Sequence, residues 1–286
     1  MAKKGISNLS ENKEVVYVSY GGACVKITAQ VSYPENLQRT HTEADTLLAF
    51  HAAECKGELV VRATDTDVLI ILLGMLSKHS KEQLPVKYGN IFIDVMAGDS
   101  QRFIDVTRIH SALEDSHPGI TAALAGLHCF AGCDYTGSFY RKGKLMPFKL
   151  LRDEENDETW TEAFAEIGTS GFNNHETIEN FVCALYGLKH CNDINVARTD
   201  KMKTMMKPAA KSCDKMKRVD CGLLPPCRKV LTKKIQRSQM IARVWYNADT
   251  PNPNLNLDPL DFGWRKVGNS FYPQWYDGPA LPSSAE

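Results

Sequence analysis

The chain has 286 residues, 43% hydrophobic and 24% charged, with 34 Lys and Arg against 34 Asp and Glu. These are ordinary values for a soluble globular protein, enough for one large domain or one domain with an appendage, and such a chain buries its core without disulfide or metal staples. Zero net charge does not announce a nucleic-acid binder, and no apolar run approaches the roughly 20 residues that span a bilayer.

The polar start MAKKGISNLSENKE has no apolar stretch of the kind that marks a secretory signal. The nine cysteines are irregularly spaced and read as reduced thiols of an intracellular protein, nuclear or cytoplasmic. Residues 15–33 are rich in Val, Tyr, Ile and Thr around Gly21-Gly22, which predicts a β-hairpin or two short strands. Pro34 to Arg39 form a loop. Thr42 then caps a helix with acids in its first turn and Ala44, Leu47, Leu48 and Ala52 after them.

Gly57 ends that helix, and Glu58 to Ala63 predict a short buried strand. Thr64 to Asp67 form a turn, and Val68 to Leu76 are apolar on every side, which predicts a buried helix. Helix, strand, turn and helix in this order point to a layered α/β domain with a mainly parallel sheet. Residues 90–107 predict two strands around Ala97-Gly98-Asp99-Ser100. Pro118-Gly119 open an apolar helix that runs to about Ala131 and ends at Gly132-Cys133-Asp134-Tyr135. Beyond Lys149 the acidic segment Arg152 to Trp160 is expected to open a solvated helix, and 176–190 predict an amphipathic helix. Arg198 to Arg218 read as a linker or loose helix. Arg228 to Tyr246 predict a second amphipathic helix with Leu231, Ile235, Ile241 and Trp245 on its apolar side. The tail from Ala248 is rich in Pro, Asn and Trp and is expected to wrap a surface with its Trp side chains.

Three segments carry carboxylates where regular elements begin or end: Glu43 and Asp45, Asp65 and Asp67, and Asp134. In an open parallel sheet, ligands bind outside the carboxyl ends of the strands, where Asp65 and Asp67 fall. Carboxylates gathered there repel one another unless a divalent cation neutralises them, and oxygen ligands without a His or Cys pattern favour Mg²⁺ or Mn²⁺ over Zn²⁺. Each acid has a plainer reading beside this one. Glu43 and Asp45 suit a helix N-terminus, Asp65 and Asp67 suit a turn and cap, and Asp134 suits a C-terminal turn.

The ordered set Glu43-Ala44-Asp45, Asp65-Thr66-Asp67 and Gly132-Cys133-Asp134-Tyr135 resembles the PIN-like and flap-endonuclease superfamily of 5′-nucleases. The resemblance covers about Thr42 to Lys149. The chain is also similar to an animal branch of PIN-like proteins that share HTEADT, TDTDV, LPPCRK and a GW stretch. It implies a three-layer α/β/α domain over residues 1–190, followed by a basic helical and Pro/Trp-rich region over 191–286. It further implies a two-metal site of Mg²⁺ or Mn²⁺ held by Glu43, Asp45, Asp65, Asp67 and Asp134, with Asp65, Asp67 and Asp134 central to hydrolysis of DNA or RNA. The alternative is a catalytically inactive PIN-like module that binds nucleic acid or protein.

The chain departs from the superfamily in one place: no Asp precedes Asp45, and the upstream acids are Glu11, Glu14 and Glu35. That fits either an N-terminally incomplete domain or a reduced site. There is also no room for a basic helical arch, and Gly137 with Gly143-Lys144 match the superfamily's glycine-rich DNA-binding hairpin only loosely.

Arg141, Lys142 and Lys144 are expected to meet phosphates. Arg198 to Arg237 hold thirteen Lys and Arg against three Asp, so Lys229, Lys233, Lys234 and Arg237 read as a solvated face or a phosphate-tracking surface. Asp94, Asp99 and Asp105 read as hairpin and turn residues, His41 and His128 as structural or exposed rather than ligands, and Cys129 and Cys133 as core. Cys213, Cys221 and Cys227 lack zinc spacing.

Overall fold

The computed structural model describes residues 16–20, 23–27, 31–37, 41, 43–97, 100–153, 159–206, 220–253 and 255–278. They form a mixed α/β protein with nine α-helices and three small sheets among the described residues. No described helix is long and apolar enough to cross a membrane.

The Val/Tyr-rich start folds as expected. β1 (Val16–Tyr20) pairs antiparallel with β2 (Ala23–Ile27), which pairs with the short β3 (Val31–Ser32). Gly21 and Gly22 lie outside the described residues, as do Thr42, Asp99 and Cys213. Ser19 Oγ lies 2.8 Å from His51 Nε2 and ties this sheet to α1 (Ala44–Glu54).

β4 (Gly57–Arg62) runs parallel to β5 (Tyr88–Ala97), and β5 forms a hairpin with β6 (Ser100–Asp105). Expectation and structure part here. β4 is an edge strand with only Val61 buried, not a buried strand, and β4–β5 is the one parallel pair among the described residues. The reason is connectivity: the helix Thr66–Lys81 supplies a crossover between β4 and β5, whereas β5 turns directly into β6, which forces antiparallel pairing. Ile91 and Ile93 face the helices and are buried, while Val60 and Phe103 on the other face are more than half exposed. Asp94 is not in a turn. It lies buried in mid-strand, where its Oδ2 accepts hydrogen bonds from Arg62 and Gln101.

α2 (Thr66–Lys81) and α4 (Ile120–Ala131) are the apolar helices read from the sequence, and they pack on each other. Between them lies α3 (Val106–Ser116), which the sequence reading missed. It follows β6 with no loop, and Asp105 ends the strand while capping the helix through the Arg108 amide. Gly126 of α4 meets α6 (Thr159–Glu166) so closely that a Cβ there would stand 2.1 Å from the Phe164 carbonyl. α5 (Leu145–Arg152), α7 (His175–Leu185) and α8 (Ile194–Met206) complete the helical side. Residues 154–158 and 207–219, parts of the expected acidic and linker segments, lie outside the described residues.

α9 (Arg228–Tyr246) matches the expected span and buries Leu231, Ile235, Ile241 and Trp245. It packs against α2, α4 and α7, so the boundary expected near residue 190 does not divide the core. One hydrophobic cluster runs from Ala49 to Ala248. Asp249, just past α9, receives Lys78 at 2.7 Å and His79 at 2.8 Å from the end of α2. The tail is more regular than its composition suggests: it turns at Pro259–Phe262 and folds into the hairpin β7 (Trp264–Val267) and β8 (Ser270–Pro273). Arg237 of α9 anchors it, donating from Nη1 to the carbonyls of Gly263 at 3.1 Å and Gln274 at 2.9 Å.

Candidate metal centre and its surroundings

The chain leaves β4 at its carboxyl end and enters α2 within four residues. Asp65 caps that helix, its carboxylate accepting from the Asp67 amide at 2.9 Å. Asp67 sits in the first turn of α2 and Asp45 in the first turn of α1. One carboxylate oxygen from each of Asp45, Asp65 and Asp67 lies within 4.8 Å of the other two. Two helix N-termini therefore point at one cluster of acids, and their dipoles offset part of its repulsion.

The remaining repulsion shows at Asp45. Burial first, then the charges of Asp65, Asp67, Glu43 and Asp134, hold its carboxyl above the ordinary carboxylate range. Asp65, Asp67 and Asp134 are the residues expected to be central to hydrolysis; the structure brings Asp45 into the close group with Asp65 and Asp67. Asp134 is exposed and outside the close group, and its influence on Asp45 is the weakest of the four acids. It is held by the turn after α4, where Gly132 takes a φ of 136° and Cys133 and Thr136 exchange backbone hydrogen bonds at 3.1 and 3.2 Å.

Glu43 is committed elsewhere. Its Oε2 accepts from Trp245 Nε1 at 3.2 Å, and it hydrogen-bonds the Tyr135 hydroxyl, which together with burial pushes that phenol up. Nothing in the sequence linked the motif residue Tyr135 or the apolar-face residue Trp245 to Glu43, and Trp245 stands 202 positions away.

His128 was read as structural, yet its Nε2 lies 2.8 Å from Asp67 Oδ1 and 2.5 Å from Lys144 Nζ. One ring nitrogen serves a single hydrogen bond at a time: protonated, it donates to Asp67, and bare, it accepts from Lys144. Burial, then the Lys144 charge, lowers its pKa despite Asp67. Lys144 Nζ also stands 3.8 Å from Asp67, so this expected phosphate contact reaches the acids instead. The available clue was position, because His128 ends the same helix that leads into the Gly132 to Tyr135 turn. In that turn the Cys133 thiol is drawn down to about 6, chiefly by a hydrogen bond from Cys129, whose own thiol burial pushes up.

The expected basic surface on α9 is largely absent. Arg237 and Lys234 are buried, at 1% and 7% exposure, and cannot track a phosphate backbone. Lys234 donates to the Gly137 carbonyl and lies over Phe139, while Arg237 holds the tail. Lys229 and Lys233 meet Asp277 of that tail. Arg141 is exposed and Lys142 half-buried, both in a separate cleft.

Oxygens opposite each other stand about 4.2 Å apart around Mg²⁺ and about 5 Å around Ca²⁺. Three ligand oxygens include at most one such opposite pair, so the three carboxylates, within 4.8 Å of one another, would have to draw together by about half an ångström or more to share one Mg²⁺. No family model matches the chain, and no curated protein or solved structure matches it either.

Proposed function

We propose that the protein is a divalent-metal-dependent nuclease of PIN-like type that hydrolyses phosphodiester bonds of DNA or RNA. The observation that carries the reading is the convergence of Asp45, Asp65 and Asp67 at two helix N-termini beside the carboxyl end of β4. Asp65 and Asp67 are neighbours in one turn, and Asp45, brought to them from a separate helix, adds repulsion that a cation between them would relieve.

In this reading Asp45, Asp65 and Asp67 hold Mg²⁺ or Mn²⁺, which when bound neutralises phosphate charge and activates water. Asp134 stands on the rim, placed to bind a second ion or to orient water. Glu43, held by Trp245 and Tyr135, adds negative potential beside Asp45. His128 steadies Asp67 and shares a proton with it. The three-layer domain that the resemblance implies would require a further layer over Val60 and Phe103, the open face of the β4–β5–β6 sheet.

A second reading, an inactive PIN-like module that binds nucleic acid or protein, draws on Lys144. Its ammonium, 3.8 Å from Asp67, supplies a positive charge where a cation would otherwise be needed. Cleavage separates the two. The enzyme should cut single-stranded or branched nucleic acid with Mn²⁺, and Asp67→Asn should abolish the cut while leaving binding intact. Binding without cleavage that depends on Asp67 on any tested substrate would leave the module as the function.

A further inference from the structure

A second polar feature is a separate cleft of about 300 Å³ lined by Tyr140, Arg141, Lys142, Tyr186, Lys201 and apolar side chains. The turn that builds it is unusual. Arg141 takes a φ of 57°, a left-handed conformation that costs a non-glycine residue energy and persists only where surrounding structure enforces it. This turn brings the Arg141 guanidinium to 5.0 Å from the Tyr140 ring centre and Lys142 Nζ to 4.6 Å from that of Tyr186.

Three cations thus share one wall. Lys201 donates to the Tyr186 carbonyl at 3.2 Å, and its charge adds to burial in lowering the Lys142 pKa. None of Arg141, Lys142 and Lys201 has a carboxylate within ion-pair distance among the described residues. Elsewhere the chain pairs its lysines readily, as at Lys78, Lys87 and Lys233. Repulsion between unpaired cations in a half-buried cleft is relieved by an anion.

The other wall decides which anion. Tyr140 is 47% exposed, and its ring rests on backbone, since a Cβ on Gly222 would stand 3.0 Å from Tyr140 Cδ1. The Arg141 guanidinium lies over this ring, and a base that joins or displaces it there would stack while its phosphate meets the cations. A duplex keeps its bases inside the helix and offers no such face, and an acidic peptide would satisfy the cations but not the ring.

We infer that this cleft is a single-stranded nucleic-acid subsite in which Arg141, Lys142 and Lys201 hold phosphate and Tyr140 stacks a base. Lys144 follows Lys142 by two residues, at most about 7.6 Å between Cα atoms, and its ammonium reaches Asp67. A strand held in the cleft therefore leads towards the acids. Its role as a substrate strand rests on the nuclease reading, whereas the grip itself does not.

The test is binding by the full chain in EDTA, read by anisotropy of a fluorescein-labelled oligothymidylate of about twelve nucleotides, beside a duplex of equal length. Tyr140→Ala should weaken single-strand affinity about 5- to 100-fold, and Tyr140→Phe should keep it. Lys142→Glu with Lys201→Glu should weaken it further and lower the salt slope by roughly 1.4. Lys81→Glu, an exposed charge at the far end of α2, should change nothing. Melting curves confirm that each variant is folded, and Tyr140→Phe controls for packing. Equal binding by Tyr140→Ala and the native chain overturns the inference, and so does a duplex bound as tightly as the single strand. Charge variants that weaken binding while Tyr140→Ala does not would reveal an anion patch only, which also overturns it. Asp65→Asn with Asp67→Asn should bind normally in EDTA. Absence of Mn²⁺ cleavage by the native chain, with the grip intact, would retire the metal reading and leave this one standing.

Discussion

Asp65→Asn isolates the charge of the cluster from its structural duties. Asparagine caps a helix as well as aspartate does, so the bond to the Asp67 amide survives. What disappears is one negative charge about 4.8 Å from two others. Each such pair repels by roughly 1 kcal/mol at a water-like dielectric and by about 3 kcal/mol at an effective dielectric of 20. Asp65 is exposed, so the lower figure applies and the two pairs together cost about 2 kcal/mol. Losing a charge at a helix N-terminus returns about 0.3–1 kcal/mol of that. In EDTA the variant should therefore be more stable by about 1 kcal/mol, near 2 °C in Tm for a chain of this size. With Mn²⁺ at about 100 times its Kd, the native chain should gain about 2.7 kcal/mol, near 5 °C. If the lost ligand weakens binding about 100-fold, the variant gains only about 0.4 kcal/mol. The order of stability should thus reverse between EDTA and Mn²⁺, as read by differential scanning calorimetry at pH 7. Metal-free native protein should also lose stability as pH rises from the ordinary carboxylate range to the raised value of Asp45, because the folded state there holds more protons than the unfolded state. A native melting curve that Mn²⁺ leaves unmoved, or a variant less stable than the native chain in EDTA, would refute the reasoning.

Trp245→Phe removes the indole donor to Glu43 from a buried site and should cost about 2 kcal/mol in urea unfolding; a change below about 0.5 kcal/mol would show that water replaces it. Arg237→Ala strips two carbonyls of their donor and empties a buried site, so it should destabilise the protein by at least about 3 kcal/mol and expose the β7–β8 hairpin to protease. Protection of that hairpin at the native level would show that Arg237 does not anchor it. Lys234 is held down to about 7, first by burial and then by Arg237. Between pH 7 and the ordinary lysine range the unfolded chain binds the extra proton, so stability should rise with pH across that window, and Lys234→Met should flatten the rise. An unchanged slope in the variant would mean that the Gly137 carbonyl and the Phe139 ring keep Lys234 charged.

Much of the helical framework was legible in local chemistry. Pro225-Pro226 and a 3.6-residue apolar period set α9, and apolar runs set α2 and α4. The acids at the starts of α1 and α2 were also visible, because helix N-termini select acidic residues whatever their further use. Burial of Lys234 had a signal that a count of charges hides: it falls on the three- and four-residue stripe of Leu231, Ser238, Ile241 and Trp245. α3 escaped because Asp105, which ends the strand and caps the helix at once, reads equally well as a turn residue. Tertiary structure alone decided the rest. Whether Asp45 or Asp134 joins Asp65 and Asp67 depends on how α1, α2 and the end of α4 meet, a distance that no sequence spacing encodes. Arg237 became an anchor because a hairpin nearly thirty residues later closes over it. Trp245 reaches Glu43 only because α9 enters the core beside α2 and α4. A sequence determines which side chains prefer an interface, a cap or water through short-range sterics and solvation. Long-range packing decides which of them meet, since that choice is made by the shared burial of surfaces far apart in the chain.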